Sequence, residues 1–243
     1  MISPPPLNQS ACFSQQLRAE GIEQEVISEL LKSSYAISLK KGDRLCPSLD
    51  QAAIIYYHSG CLVEMLVLTD EQHCASSLWT QGYLTVCLPP NENRFQYHHN
   101  YFLCLFDADL TIIPQSAINK LKNTSSALVN FIQTRANEYL HISHNMALMR
   151  TLLDKRQNII LRLLILNVRT SGSKLALTLD DLCLLTNTTR QYCGGVIKQL
   201  QQDGLVSKQY GCLFIKDLLK LQAQLDRQVL LFLSHYMSLT KQR

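Results

Sequence analysis

Residues 178–206 run TLDDLCLLTNTTRQYCGGVIKQLQQDGLV. Thr178 with Asp181 three positions on has the form of a reciprocal helix start, in which each side chain satisfies the other residue's backbone N–H. Leu179, Leu182 and Leu185 supply one apolar face, and Cys183 is small enough for a second helix to cross beside it. Asn187 tolerates the left-handed backbone that a tight turn between helices demands. Thr189 suits the cap of a second helix. Cys193, Val196, Ile197 and Leu200 then fall at i, i+3, i+4 and i+7, a single stripe. Gly204 ends that helix, and LVSKQYGCLFI divides into two short strands about Gly211. The pattern is helix, turn, helix and β-wing.

The face opposite the stripe carries Arg190, Gln191, Gly194, Gly195, Lys198, Gln201 and Gln202, and no carboxylate. An Arg at a helix start suits guanine in the major groove, and a Gln suits adenine. Lys198, Lys208 and the helix N-terminus suit phosphates. Thr189, Arg190, Gln191, Gly195, Lys198 and Lys208 are therefore the candidate DNA-binding residues. Two adjacent glycines cost this helix roughly 1 kcal/mol each relative to Ala. Either they permit tight helix packing or are drift, or they keep the exposed face shallow so that the backbone can approach DNA.

Charge is distributed in agreement. Residues 1–153 hold 10 Lys/Arg against 13 Asp/Glu, residues 154–216 hold 9 against 4, and residues 217–243 hold 4 against 2. A mildly acidic first part joined to a basic second part points to a nucleic-acid partner for the second. Nine cysteines without a C-x-x-C pair fit reduced thiols in a cytoplasm better than a disulfide framework or a zinc site. No run of about 18 apolar residues exists, so no membrane span is expected. MISPPPLNQS lacks the charged and apolar regions of a secretory leader. The expected location is cytoplasmic. No phosphate loop, G-x-S-x-G elbow or H-E-x-x-H is present, so no enzyme activity is expected.

Upstream, residues 1–34 open with a Pro-rich stretch and continue as a helical segment with Ile22, Val26, Ile27, Leu30 and Leu31 on one face. From 35 to 114 the chain breaks into strand-length runs: YAISL, AAIIYYH, CLVEMLVL, CASSLW, YLTVCL, FQYHH and YFLCLF, separated by turn residues. That spacing predicts a β-sandwich or barrel. Helical periodicity returns over 115–153. Leu128, Ile132, Tyr139, Ile142, Met146, Met149 and Leu153 take a/d heptad positions, with Ser125 and Arg135 as polar exceptions. Such a helix either lies on its own barrel or pairs with a second copy through 125–153. The pairing predicts a homodimer. A helix capped by Asp154, with Ile159, Leu163, Leu164 and Leu166 in a core, opens the basic region 154–216. One amphipathic helix over 217–243, carrying Leu218, Leu221, Leu225, Val229 and Phe232, closes the chain.

The chain resembles the CRP/FNR family of bacterial transcription regulators over roughly residues 35–217, most clearly in TLDDLCLLTNTTRQYCGGVIKQLQQDGLVSKQYGCLFIKDLLKL. The resemblance implies an α+β fold: an N-terminal antiparallel β-roll of jelly-roll type, a long dimerisation helix, and a C-terminal winged helix-turn-helix. Gly42, Gly60 and Gly82 match the glycines that turn between strands of the roll. Arg190 matches the family's base-contacting Arg. Gln191 stands where Glu is usual, and Gly195 where a second Arg is often found, so the family's usual half-site is not carried over. Nucleotide-binding members place a Gly-Glu pair where this chain has Val86-Cys87, and an Arg-Ser/Thr pair later; Arg94 here precedes Phe95. No cyclic-nucleotide response is expected.

Cys12 stands alone, which speaks against an iron–sulfur cluster of the family's kind. No cofactor is predicted. By residue type, His98, His99, His141, His144, Cys74, Cys87 and Cys104 leave haem or thiol sensing open. The partners expected are palindromic double-stranded DNA, with half-sites about 34–36 Å apart, and, through the resemblance alone, RNA polymerase. The alternative is a protein-interaction module whose winged helix no longer reads DNA.

Overall fold

The computed structural model describes residues 7–46, 52–69, 72–87, 101–169 and 174–241. Two four-stranded antiparallel sheets face each other. One has the order β1 (Tyr35–Leu39), β8 (Ala108–Pro114), β3 (Ala52–Tyr57), β6 (Leu84–Val86). The other runs β2 (Arg44–Leu45), β7 (Tyr101–Phe106), β4 (Cys61–Thr69), β5 (Gln72–Thr80). Period-two alternation divides the side chains. On β3, Ile55 and Tyr57 enter the roll interior, while Ile54 and Tyr56 face a second core. That second core is roofed by α1 (Leu7–Ala19) and α2 (Gln24–Ser33) through Phe13, Leu17, Ile27 and Leu30.

Two of the roll's strands lie outside the runs read from the sequence. β8 follows β7 across Asp107 alone, with no Gly or Pro to punctuate the join. β2 is two residues long. The run FQYHH, the segment around Arg94, and His98 and His99 lie outside the described residues.

The region 115–153 holds two helices, α3 (Gln115–Leu121) and α4 (Ser126–Leu152), with Ser125 capping the second. Its heptad stripe requires a correction. Leu128 is buried in the second core, Ile142 and Met146 are buried in the interior core that Ile55 and Tyr57 enter, and Tyr139, Met149 and Leu153 are packed against that interior core. Of the two readings of the stripe, the structure selects the helix lying on its own roll. The polar exceptions are satisfied across the chain. Ser125 donates to Glu23 at 2.7 Å, and Arg135, 5% exposed, pairs with Glu138 at 2.7 Å and with Glu20. Both tie α4 to the link between α1 and α2.

α5 (Lys155–Arg169) begins behind Asp154, whose carboxylate accepts from the Gln157 N–H at 2.7 Å. Every residue from Ile159 to Leu166 is 0–1% exposed. α6 (Leu179–Thr186) and α7 (Arg190–Gln202) follow, then the wing of β10 (Val206–Gln209) and β11 (Cys212–Ile215). A third strand, β9 (Lys174–Leu175), pairs with β11 and has no counterpart in the sequence reading. The C-terminal region is also two helices rather than one: α8 (Leu218–Gln222), capped by Asp217, and α9 (Arg227–Lys241). Leu221, Leu225 and Val229 are buried as expected, Phe232 is partly so, and Leu218 is exposed. This region docks on the start of α5, with Arg156 donating to Gln224 at 3.0 Å and Gln157 to Asp226 at 3.3 Å.

Candidate nucleic-acid interface

The helix-turn-helix forms for the local reasons its sequence carries. The Thr178 hydroxyl accepts from the Asp181 N–H at 3.1 Å, and the Asp181 carboxylate accepts from the Thr178 N–H at 2.8 Å. Asn187 stands at φ 52°, ψ 47°, the left-handed turn. Thr189 caps α7 by accepting from the Tyr192 N–H at 3.3 Å. Cys193, Val196, Ile197 and Leu200 are all buried. The Cys193 thiol hydrogen bonds with Cys183 where the helices cross, and burial first, then that neighbouring thiol, push it up to about 12. Of the nine cysteines, this buried member is thus held as an unreactive thiol.

The opposite side is open to solvent. Thr189, Arg190, Gln191, Gly195 and Lys198 on α7 are exposed, as are Gln201 and Gln202 and, on the wing, Lys208. No part of the described C-terminal region lies over them. Arg190 is engaged by one partner that the sequence reading passed over. Its Nη1 donates to Oδ2 of Asp180 at 3.1 Å and lies 3.0 Å from Oδ1 in an ion pair. Asp181 is committed elsewhere: besides the cap, it receives Lys41 of the β1–β2 turn at 2.5 Å.

The two glycines meet almost nothing. A Cβ at Gly194 would touch only the end of Leu179 at 4.0 Å, and one at Gly195 would have nothing within 4 Å. Tight packing inside this chain is not their purpose. Gly195→Ala should therefore stabilise the fold by up to about 1 kcal/mol, read as a higher urea midpoint. If the shallow face lets backbone approach DNA, the same change should weaken duplex binding.

The roll interior is a second place to look for a ligand. Glu64, in the middle of the apolar run of β4, is buried and accepts from the Tyr139 hydroxyl of α4. Burial and then this carboxylate raise Tyr139 above its ordinary range. Trp79 is stacked against Tyr139 at 5.5 Å and against Tyr57 at 6.5 Å. Cys87 is pushed up to about 12, by burial first and by Glu64 second. An acidic residue alone in an apolar strand was the signal for this cluster. His141 and His144 sit exposed on the outer side of α4, Cys74 is half-buried, and Cys104 is buried on β7. Among the described residues, no group of three or more His, Cys, Asp or Glu is placed to hold a metal ion. No helix among them is long and apolar enough to cross a membrane.

A β-roll, a long helix and a winged helix-turn-helix in this order make up the fold of CRP/FNR transcription regulators, and this chain has that fold. It is similar to a protein of Eubacterium rectale described as a transcriptional regulator of that family, at 15% identity and a TM-score of 0.69, covering 84% of this chain and 95% of the other. FixK2 of Bradyrhizobium japonicum is similar at 12% identity and a TM-score of 0.65, over 78% of this chain and 96% of its own. The c-di-GMP-responsive global regulator CLP of Xanthomonas campestris gives 16% identity and a TM-score of 0.62, over 80% and 100%. No protein-family model matches the chain, and no curated protein matches it in sequence.

Proposed function

We propose that the chain is a cytoplasmic, non-enzymatic transcriptional regulator of CRP/FNR type that binds palindromic DNA as a dimer and does not respond to cyclic nucleotide. The observation that carries this reading is the open face of α7. It is capped, cationic at Arg190 and Lys198, free of carboxylates of its own, and flanked by Lys208 of the wing. A face of that shape and charge fits a major groove, with the phosphates on either side held by the lysines. Selection of bound duplexes from a random pool, followed by a salt titration of the winner, tests it. Affinity should fall steeply with salt, because phosphate contacts release counterions.

Dimerisation uses α4, but by a different side from the heptad stripe. Asn137, His144, Leu148 and Thr151 recur at heptad spacing on the outer surface, with Leu140 55%, Leu148 43% and Leu152 69% exposed. Apart from its histidines, this strip carries no ionisable side chain, and a second α4 would cover its leucines.

The Glu64 carboxylate supports the remaining part of the proposal. It lies close enough to Cys87 to raise that thiol, and Val86-Cys87 is where nucleotide-binding members carry their Gly-Glu pair. An anionic phosphate brought there would have to be buried beside an acidic side chain. Trp79, the only tryptophan, reports on this interior. Its fluorescence should stay unchanged when cyclic AMP, cyclic GMP or cyclic di-GMP is added at millimolar concentration. A saturable change would refute this part.

A further inference from the structure

We infer that Asp180 is a positioning residue for DNA recognition: it holds Arg190 through one nitrogen and leaves the other edge of the guanidinium free to read guanine. The inference rests on the DNA-binding reading above and deepens it. A carboxylate at the start of α6, beside a surface meant for phosphates, weakens binding to every duplex alike. Such a charge is retained where it improves the choice among duplexes. The geometry supplies that use. Both Asp180 oxygens engage Nη1 of Arg190, at 3.0 and 3.1 Å. Nε and Nη2 form the side-on fork that matches the O6 and N7 acceptors of guanine, and neither takes part in that pair.

The surroundings leave this role to Asp180 alone. Asp181, the next residue, is tied to Thr178 and to Lys41 and does not compete for Arg190. The pair is well exposed, at 72% for Arg190 and 65% for Asp180, so it adds little to folding. Its effect is to narrow the rotamers of a long side chain before DNA arrives, which lowers the entropy lost on binding the correct base.

The test uses the full chain with two probes, the duplex recovered by selection and a scrambled duplex of equal length. Asp180→Asn should tighten binding to the scrambled duplex and lower the ratio of selected to scrambled affinity about fivefold, the size an exposed charge pair supplies. In an Arg190→Ala background the fall in ratio should vanish, because Asp180 acts through Arg190. Asp180→Ser gives the same reading if the Asn variant loses its melting transition. A ratio that holds or rises, or one that falls equally without Arg190, overturns the inference while leaving DNA binding intact. A wild-type chain that selects no duplex overturns both.

Discussion

Replacing Arg190 with Ala should weaken binding to the selected duplex by about 1–3 kcal/mol, roughly 5- to 150-fold, and relax discrimination at one base position per half-site. The scrambled duplex should lose far less. The expectation follows from position: Arg190 is the first residue of α7, exposed beyond its Thr189 cap, and is the cation nearest the helix N-terminus. Lys198 lies more than two turns further along and, as a compact point charge, suits a phosphate better than a base edge. Quantitative footprinting with wild-type and variant protein separates the two roles. An unchanged base preference would remove Arg190 from the reading face. A chain that retards no duplex at all but holds a stable protein partner would instead favour the interaction-module alternative.

Gly60→Ala should cost the fold about 2–5 kcal/mol, the largest stability change expected from a single methyl group in this chain. Gly60 turns between β3 and β4 at φ +81°. A side chain there pays about 1–2 kcal/mol for the left-handed backbone. It also collides with its surroundings, since a Cβ would stand 2.3 Å from the Asp107 carbonyl oxygen and 2.5 Å from the Ala108 Cβ. Overpacking against a paired strand adds about 1–3 kcal/mol. Gly82 is the internal control. It has φ +80° but nothing within 4 Å of its Cβ position, so Gly82→Ala should cost the backbone term alone. Urea unfolding of the two variants measures the difference, and equal losses would place the whole effect in the backbone.

The winged helix-turn-helix was legible because its determinants are local. A cap, a left-handed Asn and a 3.6-residue stripe are each visible within a few residues, and all three sit in the structure where the spacing puts them. The roll was legible as a class and less so in its parts. β8 and β9 exist through partners distant in the chain; β8 follows Asp107 with no Gly or Pro before it, and β9 is only two residues long. The heptad of α4 was ambiguous for a physical reason: an apolar stripe specifies that it will be covered, not by what. Its breaks at Ser125 and Arg135 have local uses, as a cap and in a pair with Glu138, but their partners Glu23 and Glu20 lie more than a hundred residues away. Asp180 is hard to read for a similar reason: an acidic residue in the first turn of a helix suits the helix dipole whatever lies nearby, and its partner Arg190 stands ten positions on, across a turn.

α5 has a mechanical consequence. With no wet side from Ile159 to Leu166, it cannot roll or slide without opening a void along its length. At its centre, the guanidinium of Arg162 reaches out of the winged-helix half and grips the Ser76 carbonyl of β5 at 3.2 Å. Peeling the two halves apart would break that contact, and the seat of α6 on β5 would open with it. The tether at 152–154 is therefore no free joint. The roll and the winged-helix half are keyed together, and any movement of one against the other must first unseat that key.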